Sequence, residues 1–492
     1  MTKQQKPNIL DEIYQLRHNE LFGYEEEEST GFAEIEEQQH APVAPKKIDL
    51  TKPPGLVGEV AEYINGQCLF PRENLAVAAA IASIGNIGGL NHKLEDNRVT
   101  PNIFLFGVAG SATGKEDILQ AATELHMLAG IGSATHGTIK SEQEVIRNLI
   151  EHQASYYLID EIGLFLKKVQ SASNSNGASY LQNVIAALMS IYSKARSSVL
   201  VSGDIKRQIK TELKKEYAYF NKELDNGCDN HAEVEERMQK IKEAINSIDN
   251  GLINPFLSLI GFTTPETFNG FVDVENVTSG FIGRSIIINE PNNNPKKKPN
   301  FKPIELSDDL RDRIVALRSN GSFDQKNYRV ESNGNFNVIK TDQDALHELE
   351  NISEWFWKEA ESQTEKTGFE AVVRRGYEMV EKVSFILSFG SDSRTLEHVE
   401  WAFEYIKRDI RYKTLLAYSN VKEKSDPVES MAAKIMCGIT DDGITVGRIV
   451  NRYRAKRDLV LKAIDFLVSK GKIKVSDKVS DNNRKVSVIF KV

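Results

Sequence analysis

Five short apolar runs most constrain how this chain of 492 residues can fold. They span residues 102–106 (NIFLF), 156–159 (YYLI), 198–201, 257–260 and 281–288. Runs this short and this apolar are typical of strands buried on both faces of a parallel sheet. Segments with helical periodicity, such as 115–129, lie between them. The alternation predicts an α/β fold with a mainly parallel sheet and covering helices.

Changes in composition, together with prolines and glycines that break regular structure, divide the chain into five regions. We expect an acidic disordered tail at 1–45, a helical N-terminal region at 46–100, an α/β core at 101–290, a helical lid region at 305–424 and a separate C-terminal block at 428–492. The core is interrupted at 206–250 by a charged segment that predicts an antiparallel helical hairpin. The C-terminal block reads as three helices followed by two alternating strands, which is the order of a winged helix.

The formal net charge of −8 is unevenly distributed. Residues 1–45 contain ten acids and three bases, whereas residues 428–492 contain 14 bases and seven acids. The overall acidity is therefore a property of the tail, and it does not argue against a nucleic-acid partner for the rest of the chain.

The composition also excludes several classes of protein. Three widely separated cysteines cannot form a disulfide framework and have no zinc-site spacing. No apolar run is long enough for a membrane span, and the N-terminus lacks a secretory apolar core. We therefore expect a soluble intracellular protein without a membrane partner.

A glycine-rich segment, 109–115 (AGSATGK), connects the first apolar run to a helical segment. Glycines allow backbone N–H groups to converge on anionic oxygens, and a helix N-terminus favours negative charge. Lys115 adds a positive charge for the β- and γ-phosphates. The predicted ligands of ATP and Mg²⁺ are Gly110, Ser111, Ala112, Thr113, Gly114, Lys115, Glu116 and Asp117. The alternative is a glycine-rich turn with an incidental lysine.

Two positions of this segment depart from the usual phosphate-loop pattern. Ala109 occupies the place of the first glycine, although Gly110 follows it directly. Glu116 stands where a serine or threonine commonly binds the metal. The second departure puts the geometry of the metal site, and hence the rate of hydrolysis, in question.

Two acids follow the apolar run 156–159. Because ligands of parallel α/β sheets bind at the carboxyl ends of the strands, Asp160 and Glu161 are placed for chemistry. Asp160 suits the Mg²⁺ shell, with Glu116 as a second candidate ligand, and Glu161 suits a general base that polarises the attacking water. The alternative is a strand that ends in solvated acids.

Further candidates for phosphate contacts lie in or after the last two apolar runs and in a later helical segment. Thr263 or Thr264, after run 257–260, would orient water or contact the γ-phosphate, or would cap the strand end. Arg284 could reach the γ-phosphate of a neighbouring subunit, or be an ordinary surface arginine. Arg374 or Arg375 could act as a second phosphate sensor, or lie on a solvated helix face.

Bases cluster in the C-terminal block. The predicted DNA-binding residues are Arg448, Arg452, Arg454, Lys456, Arg457, Lys472 and Lys474. Such clusters on a winged helix suit phosphate contacts, although this fold can also dock proteins.

The order of these motifs resembles a family of P-loop proteins that are frequent in phages, plasmids and genomic islands, often beside or fused to primases. The shared features run through residues 53–284: PPGL, the Ala-rich LAVAAAIASIGNIGG, GSATGK, LIDE, the charged insert, LIGFTTPETF and SGFIGR. The C-terminal half is similar to the lid and winged helix of hexameric replicative helicases of the AAA+ type. The resemblance implies a ring-forming, ATP-driven translocase on single-stranded DNA. It also implies a location in the cytoplasm of a bacterial cell, with a gene of the cell, a phage or a mobile element.

These observations lead to an ATP-hydrolysing DNA helicase or translocase, acting as a homo-hexamer in phage or mobile-element replication, as the first hypothesis. The core would be a P-loop NTPase of AAA+ or RecA-like strand order, with the acidic tail recruiting a primase, loader or polymerase. A second hypothesis is an ATP-dependent origin-binding initiator or helicase loader without unwinding activity. A third is an ATP-binding assembly protein in which Glu116 weakens hydrolysis.

Overall fold

A five-stranded parallel sheet forms the centre of the structure. The described strands are β1 (His92–Leu94), β2 (Phe104–Val108), β3 (Thr135–His136), β4 (Ala154–Ile159), β5 (Ser198–Val199), β6 (Leu252–Ile253), β7 (Phe256–Thr263), β8 (Ser285–Asn289), β9 (Asn337–Thr341), β10 (Ser393–Arg394), β11 (Ile444–Thr445), β12 (Ile473–Val479) and β13 (Lys485–Lys491). The order in the central sheet is β3–β4–β7–β2–β8. All residues of β2, β4 and β7 are buried, which confirms the predicted α/β layering around a parallel sheet.

The computed structural model describes residues 48–492 except 96–97, 111–113, 174–178, 228–229, 269–279, 291–294, 319–329, 331, 333, 367–368, 426–427, 429–430, 433–434, 436–438, 440–442, 454–455, 480–484 and 492. The predicted acidic tail at 1–45 lies outside these residues. Within the described part of the chain, no helix combines the length and the apolar character that a membrane crossing requires.

Helices cover the sheet and form most of the remaining structure. They are α1 (Gly55–Gln67), α2 (Glu73–Gly88), α3 (Lys115–Leu128), α4 (Glu142–Glu151), α5 (Ile162–Ser173), α6 (Ser179–Tyr192), α7 (Gly203–Asp225), α8 (His231–Ser247), α9 (Pro265–Phe268), α10 (Phe281–Arg284), α11 (Asp308–Ala316), α12 (Gln343–Lys366), α13 (Glu370–Leu387), α14 (Leu396–Ser425), α15 (Val446–Tyr453) and α16 (Arg457–Ser469). Short 3₁₀ turns occur at Gly132–Ala134 and Ile248–Asn250.

The Ala-rich helix α2 is buried along almost its whole length. Its small residues allow close packing, because a Cβ on Gly85 would approach the Ile386 side chain to 2.9 Å and the Pro101 carbonyl to 3.1 Å. This helix joins the sheet to the helices at 370–425, and it therefore forms part of one continuous hydrophobic core.

Two of the five predicted strands differ from the structure. The segment 198–201 does not join the central sheet: β5 pairs with β6 in a separate antiparallel ribbon at the base of the insert. The segment 281–288 begins as the helical turn α10 and becomes a strand only at Ser285. Periodicity could not show either outcome, because a short apolar run fits a core strand, a ribbon or a buried turn equally well.

The predicted helical hairpin is present as α7 and α8, which pack against each other and against α4. Arg147 of α4 fixes this contact, since its guanidinium lies 2.7 Å from Glu216 and 3.4 Å from Glu212 of α7. A cavity of about 350 Å³ lies where α4 meets the hairpin.

The helices α12, α13 and α14 pack together beside the edge strand β8. A buried ion pair lies at this contact: Lys413 Nζ donates to Asp409 at 2.6 Å, and each residue is 1% exposed. Asp409 also accepts the backbone N–H of Ile287 in β8 at 2.7 Å. A small parallel sheet, β1–β9–β10, lies alongside these helices.

The C-terminal block has its own hydrophobic cluster, formed by residues of 431–489. Its strands are antiparallel in the order β11–β13–β12, and α16 packs against α15 and β12. The described order from β11 is therefore strand, two helices and a β-hairpin.

Candidate active site

The strand register brings the ends of four strands to one edge of the central sheet. Val108 pairs with Thr263 of β7 on one side and with Asn289 of β8 on the other. Ile159, the last residue of β4, pairs with Gly261. Because all these strands are parallel, the residues that follow them meet at this carboxyl edge.

The glycine-rich segment leaves β2 at this edge and enters α3. Gly114 adopts φ +83°, a left-handed conformation that favours glycine, immediately before the first residue of the helix. The first N–H groups of α3 are thereby directed back toward the segment, as an anion site at a helix N-terminus requires. Gly110 is described, whereas the predicted ligands Ser111, Ala112 and Thr113 lie outside the described residues.

Lys115, the first residue of α3, has a side chain that is only 7% exposed. Its ammonium group lies 3.4 Å from the carbonyl oxygen of Ala109 and 3.5 Å from Oε1 of Glu161. The charge is therefore held across the glycine-rich segment and not in solvent. The structure brings together the lysine and the acid that the sequence assigned to phosphate binding and to water activation.

The two acids after β4 have different environments. Glu161 adopts φ +52°, an uncommon conformation for a residue other than glycine. Its backbone N–H donates to Oδ1 of Asp160 at 2.9 Å, and this bond closes the turn between β4 and α5. The turn directs the Glu161 carboxylate toward Lys115 and leaves Asp160 exposed at the sheet edge.

Both predicted metal ligands, Asp160 and Glu116, are exposed carboxylates near this edge. Mg²⁺ is commonly held by one or two carboxylates together with phosphate oxygens and water, and an exposed carboxylate at this edge can serve. Glu116 lies on the first turn of α3. Asp117, in the same turn, contacts the lead-in segment (residues 68–72, between α1 and α2), since its Oδ2 accepts the Leu69 N–H at 3.3 Å. Among the described residues, no group of three or more His, Cys, Asp or Glu side chains could hold a metal by itself.

The threonines after β7 form a hydroxyl cluster. Thr263 Oγ1 lies 2.6 Å from Thr267 Oγ1, and Thr264 Oγ1 lies 3.1 Å from the same atom. Both residues are buried, and the Thr263 hydroxyl packs against Gly163 of α5. Thr267 belongs to the short helix α9, so the cluster connects the end of β7 to that helix. A phosphate contact and a cap of the strand end both stay predictions for Thr263 and Thr264.

Sequence reasoning missed a second polar group beside the glycine-rich segment. Glu290 follows β8 directly, and its N–H donates to the Val108 carbonyl at 2.8 Å. Its carboxylate faces Arg72, which is fully buried, and accepts the Asn74 N–H at 3.3 Å. Arg408 of α14 in turn donates to Asn74 Oδ1 at 2.7 Å.

A signal for part of this group was present in the sequence. Glu290 ends an apolar run just as Asp160 does, and the same rule about strand ends selects both. Burial lowers the pKa of the Arg72 guanidinium while the Glu290 carboxylate opposes that shift, so the two charges stabilise each other in the interior. Arg408 gives no comparable signal, because it lies within a long helix of ordinary charged composition.

The lead-in segment before α2 covers the start of α3. The Phe70 carbonyl and Cβ lie about 3.4–3.5 Å from the point that a Cβ on Gly114 would occupy. Phe70 and Asp117 therefore fix the position of the segment that precedes α2 against the helix N-terminus.

The chain matches no protein-family model, and no curated protein is similar to it in sequence. The roles of these residues are therefore argued from their geometry.

Arg284 does not lie at this edge. It is the last residue of α10 and immediately precedes Ser285, which pairs with Phe104 at the beginning of β2. The ring of Phe281 lies 5.6 Å from that of Phe104, which places α10 at the amino edge of the sheet. Five residues of strand, roughly 16 Å at 3.3 Å each, separate this edge from the glycine-rich segment.

The predicted DNA-binding residues are exposed where the structure describes them: Arg448, Lys456, Arg457, Lys472 and Lys474. They lie on α15, at the start of α16 and at the first strand of the hairpin. Arg454 and the side chain of Arg452 lie outside the described part. A set of exposed bases on one small block provides contacts for phosphate groups.

Proposed function

We propose that the chain is an ATP-hydrolysing DNA helicase or translocase of a phage or mobile element, with a P-loop NTPase core. The observation that carries the proposal is the 3.5 Å approach of Lys115 and Glu161 across the glycine-rich segment. A strand–loop–helix unit with a buried lysine, in the same parallel sheet as a strand that ends in two acids, is an arrangement suited to phosphoryl transfer to water.

Each residue of this edge has a role in the proposed reaction. Lys115 and the N–H groups at the start of α3 bind the β- and γ-phosphates of ATP. Glu161 accepts a proton from a water molecule as the water oxygen bonds to the γ-phosphorus and the bond to the β–γ bridging oxygen breaks. Asp160 would hold Mg²⁺, which supplies charge neutralisation on the phosphates when bound.

The position of Arg284 supports hydrolysis between subunits. An arginine at the amino edge is too far from the chain's own glycine-rich segment, and we propose that it meets the carboxyl edge of a second copy instead. This heterologous contact generates a closed ring when its rotation closes, and we propose a homo-hexamer, as the resemblance to replicative helicases implies.

Contacts with single-stranded DNA are assigned to the exposed bases of the C-terminal block and to the hairpin α7–α8. The described strand–helix–helix–hairpin order is consistent with a winged helix, whose bases contact phosphates. The segment 1–45, with ten acids and three bases, is proposed to recruit a primase, loader or polymerase.

A second candidate function rests on the same C-terminal block. A winged helix can read duplex DNA, so an ATP-dependent origin-binding initiator or a helicase loader would use the same five exposed bases. In that case ATP would drive assembly and not strand separation. Glu116, in place of the serine or threonine that commonly binds the metal, would slow hydrolysis, which suits an assembly factor.

Strand displacement on 5′- and 3′-tailed duplexes, with the molar mass measured with and without ATP, separates these functions. The proposal predicts ATP-dependent displacement of one polarity by a hexamer. Sequence-specific duplex binding with no displacement would instead support the initiator. ATP binding without any measurable turnover or displacement would contradict both motor and hydrolytic loader.

A further inference from the structure

Two arginines, Arg284 and Arg375, lie together in a corner beside Gly280 at the amino edge of the sheet. A Cβ built on Gly280 would lie within 3.5 Å of guanidinium nitrogens of both Arg284 and Arg375. Gly280 adopts φ +117°, so both the backbone conformation and the space beside it require glycine. Arg375 comes from α13 and Arg284 from α10, so two separate elements place these cations together.

Among the described residues, no acid lies within 4.0 Å of either guanidinium group in an ion pair. Arg284 Nη1 donates to the Gly280 carbonyl at 3.3 Å, which is a neutral acceptor. Arg375 Nη1 is buried and has no hydrogen-bond partner among the described residues. The nearby acid Glu378 lies 3.8 Å from the ammonium group of Lys382, and Lys413 is already paired with Asp409.

The electrostatics agree with this geometry. Burial lowers the pKa of the Arg375 guanidinium, Arg284 lowers it further, and Glu378 opposes both effects. Two half-buried guanidinium groups in one corner raise the energy of the free chain, and an anion that receives hydrogen bonds from both would offset that cost.

We infer that Arg375 acts with Arg284 as a two-arginine site for the terminal phosphate of a nucleotide bound to a second copy of this chain. The inference rests on the proposed function, because the nucleotide lies at the carboxyl edge of that second copy. The convergence of both side chains on one corner favours a single phosphoryl group that carries several charged oxygens. A DNA backbone presents phosphodiesters of one charge each, spaced along the strand.

The neighbouring residue Arg374 provides a matched control. Its side chain is exposed and lies over the Trp357 ring, with 5.0 Å from the guanidinium carbon to the ring centroid. Arg374→Gln removes the same charge from the same helix, one residue away, without changing the corner beside Gly280.

The test measures ATP turnover and the Kd for a fluorescent ATP analogue in Arg375→Gln, Arg375→Lys, Arg284→Gln and Arg374→Gln. We expect turnover to fall at least 10-fold in the first three variants, with the Kd within about threefold of wild type. Arg374→Gln should remain within twofold. Arg375→Lys retains the charge but loses the bidentate fork, and circular dichroism with urea unfolding verifies that each variant is folded.

Mixing then tests action between copies. Lys115→Ala subunits should turn over little ATP themselves but keep both arginines, so their addition to Arg375→Gln should restore turnover well above the sum of the separate variants. Near-wild-type turnover of Arg375→Gln, or no recovery on mixing, would overturn the inference. Normal turnover with weakened single-stranded DNA binding would also overturn it, since the anion would then be DNA. Absence of turnover in the wild-type protein would refute the proposed function itself.

Discussion

The ammonium group of Lys115 lies 3.5 Å from the carboxylate of Glu161, so the beginning of α3 and the end of β4 meet at one point. The strand β7 separates β4 from β2 in the sheet, yet the two side chains close that gap above the strand ends. In the proposed reaction, Lys115 would bind the phosphates in both the ground state and the transition state, whereas Glu161 would act on the attacking water.

Lys115→Ala should weaken ATP binding at least 10-fold and reduce turnover at least 100-fold, because it removes the buried charge that meets the phosphates. Titration with a fluorescent ATP analogue and a phosphate-release assay measure the two effects. Lys140→Ala, at an exposed lysine, is the matched control and should change neither quantity more than twofold. Equal ATP affinity for wild type and Lys115→Ala would remove Lys115 from the site.

Gly163→Ala should destabilise the protein by about 1–3 kcal/mol, since a new methyl group would overlap the hydroxyl cluster of Thr263 and Thr267. Urea unfolding measures the free energy of unfolding of wild type and of the variant. Gly447→Ala, in α15, has no atom within 4 Å of its new Cβ, and it should leave stability unchanged or raise it by up to about 1 kcal/mol. Similar effects of the two changes would show that the cluster at the end of β7 is not tightly packed.

Single-stranded DNA binding should become less salt-dependent when two bases at the start of α16 are removed. Lys456 and Arg457 are both exposed, and each phosphate contact contributes about 0.7 to the slope of log K against log salt concentration. The double change to alanine should therefore reduce the slope by about 1.4. Fluorescence anisotropy at several salt concentrations measures it, and an unchanged slope would exclude both residues from the DNA interface.

Acid should destabilise the fold through His126. This imidazole is fully buried between Asn86 and Thr135, and burial lowers its pKa to about 3. The unfolded chain has a histidine pKa near 6.5 and binds the proton first, so the contribution of His126 is complete above about pH 6.5 and is lost progressively toward pH 3.

The expected loss from this one group between pH 7 and pH 5 is about 2 kcal/mol. Burial also lowers the pKa of His92, His136 and His398, so the wild-type protein should lose more than this. Urea unfolding of wild type and His126→Gln at both pH values isolates the contribution of His126. Between pH 7 and pH 5, the free energy of unfolding of the variant should fall by about 2 kcal/mol less than that of wild type. An equal loss in both proteins would show that His126 is protonated in the folded state.

Apolar runs in the sequence predicted the fully buried strands of the central sheet. The runs at 156–159 and 257–260 became β4 and β7, and the polar residues after them lie at the carboxyl edge as expected. The prediction from the run at 198–201 was wrong, because four apolar residues do not specify a partner strand. Arg375 and Arg408 could not be assigned positions, since their neighbours come from elements far away in the sequence and only tertiary packing brings them together.

ATP turnover by Glu161→Gln, measured together with its affinity for a fluorescent ATP analogue, tests the central claim most directly. The amide keeps the shape of the side chain but cannot accept the proton of the attacking water. We predict a turnover at least 100-fold below wild type, in the presence of single-stranded DNA, with the ATP affinity within about threefold. Turnover within twofold of wild type would contradict the assignment of this edge of the sheet as an ATP-hydrolysing site.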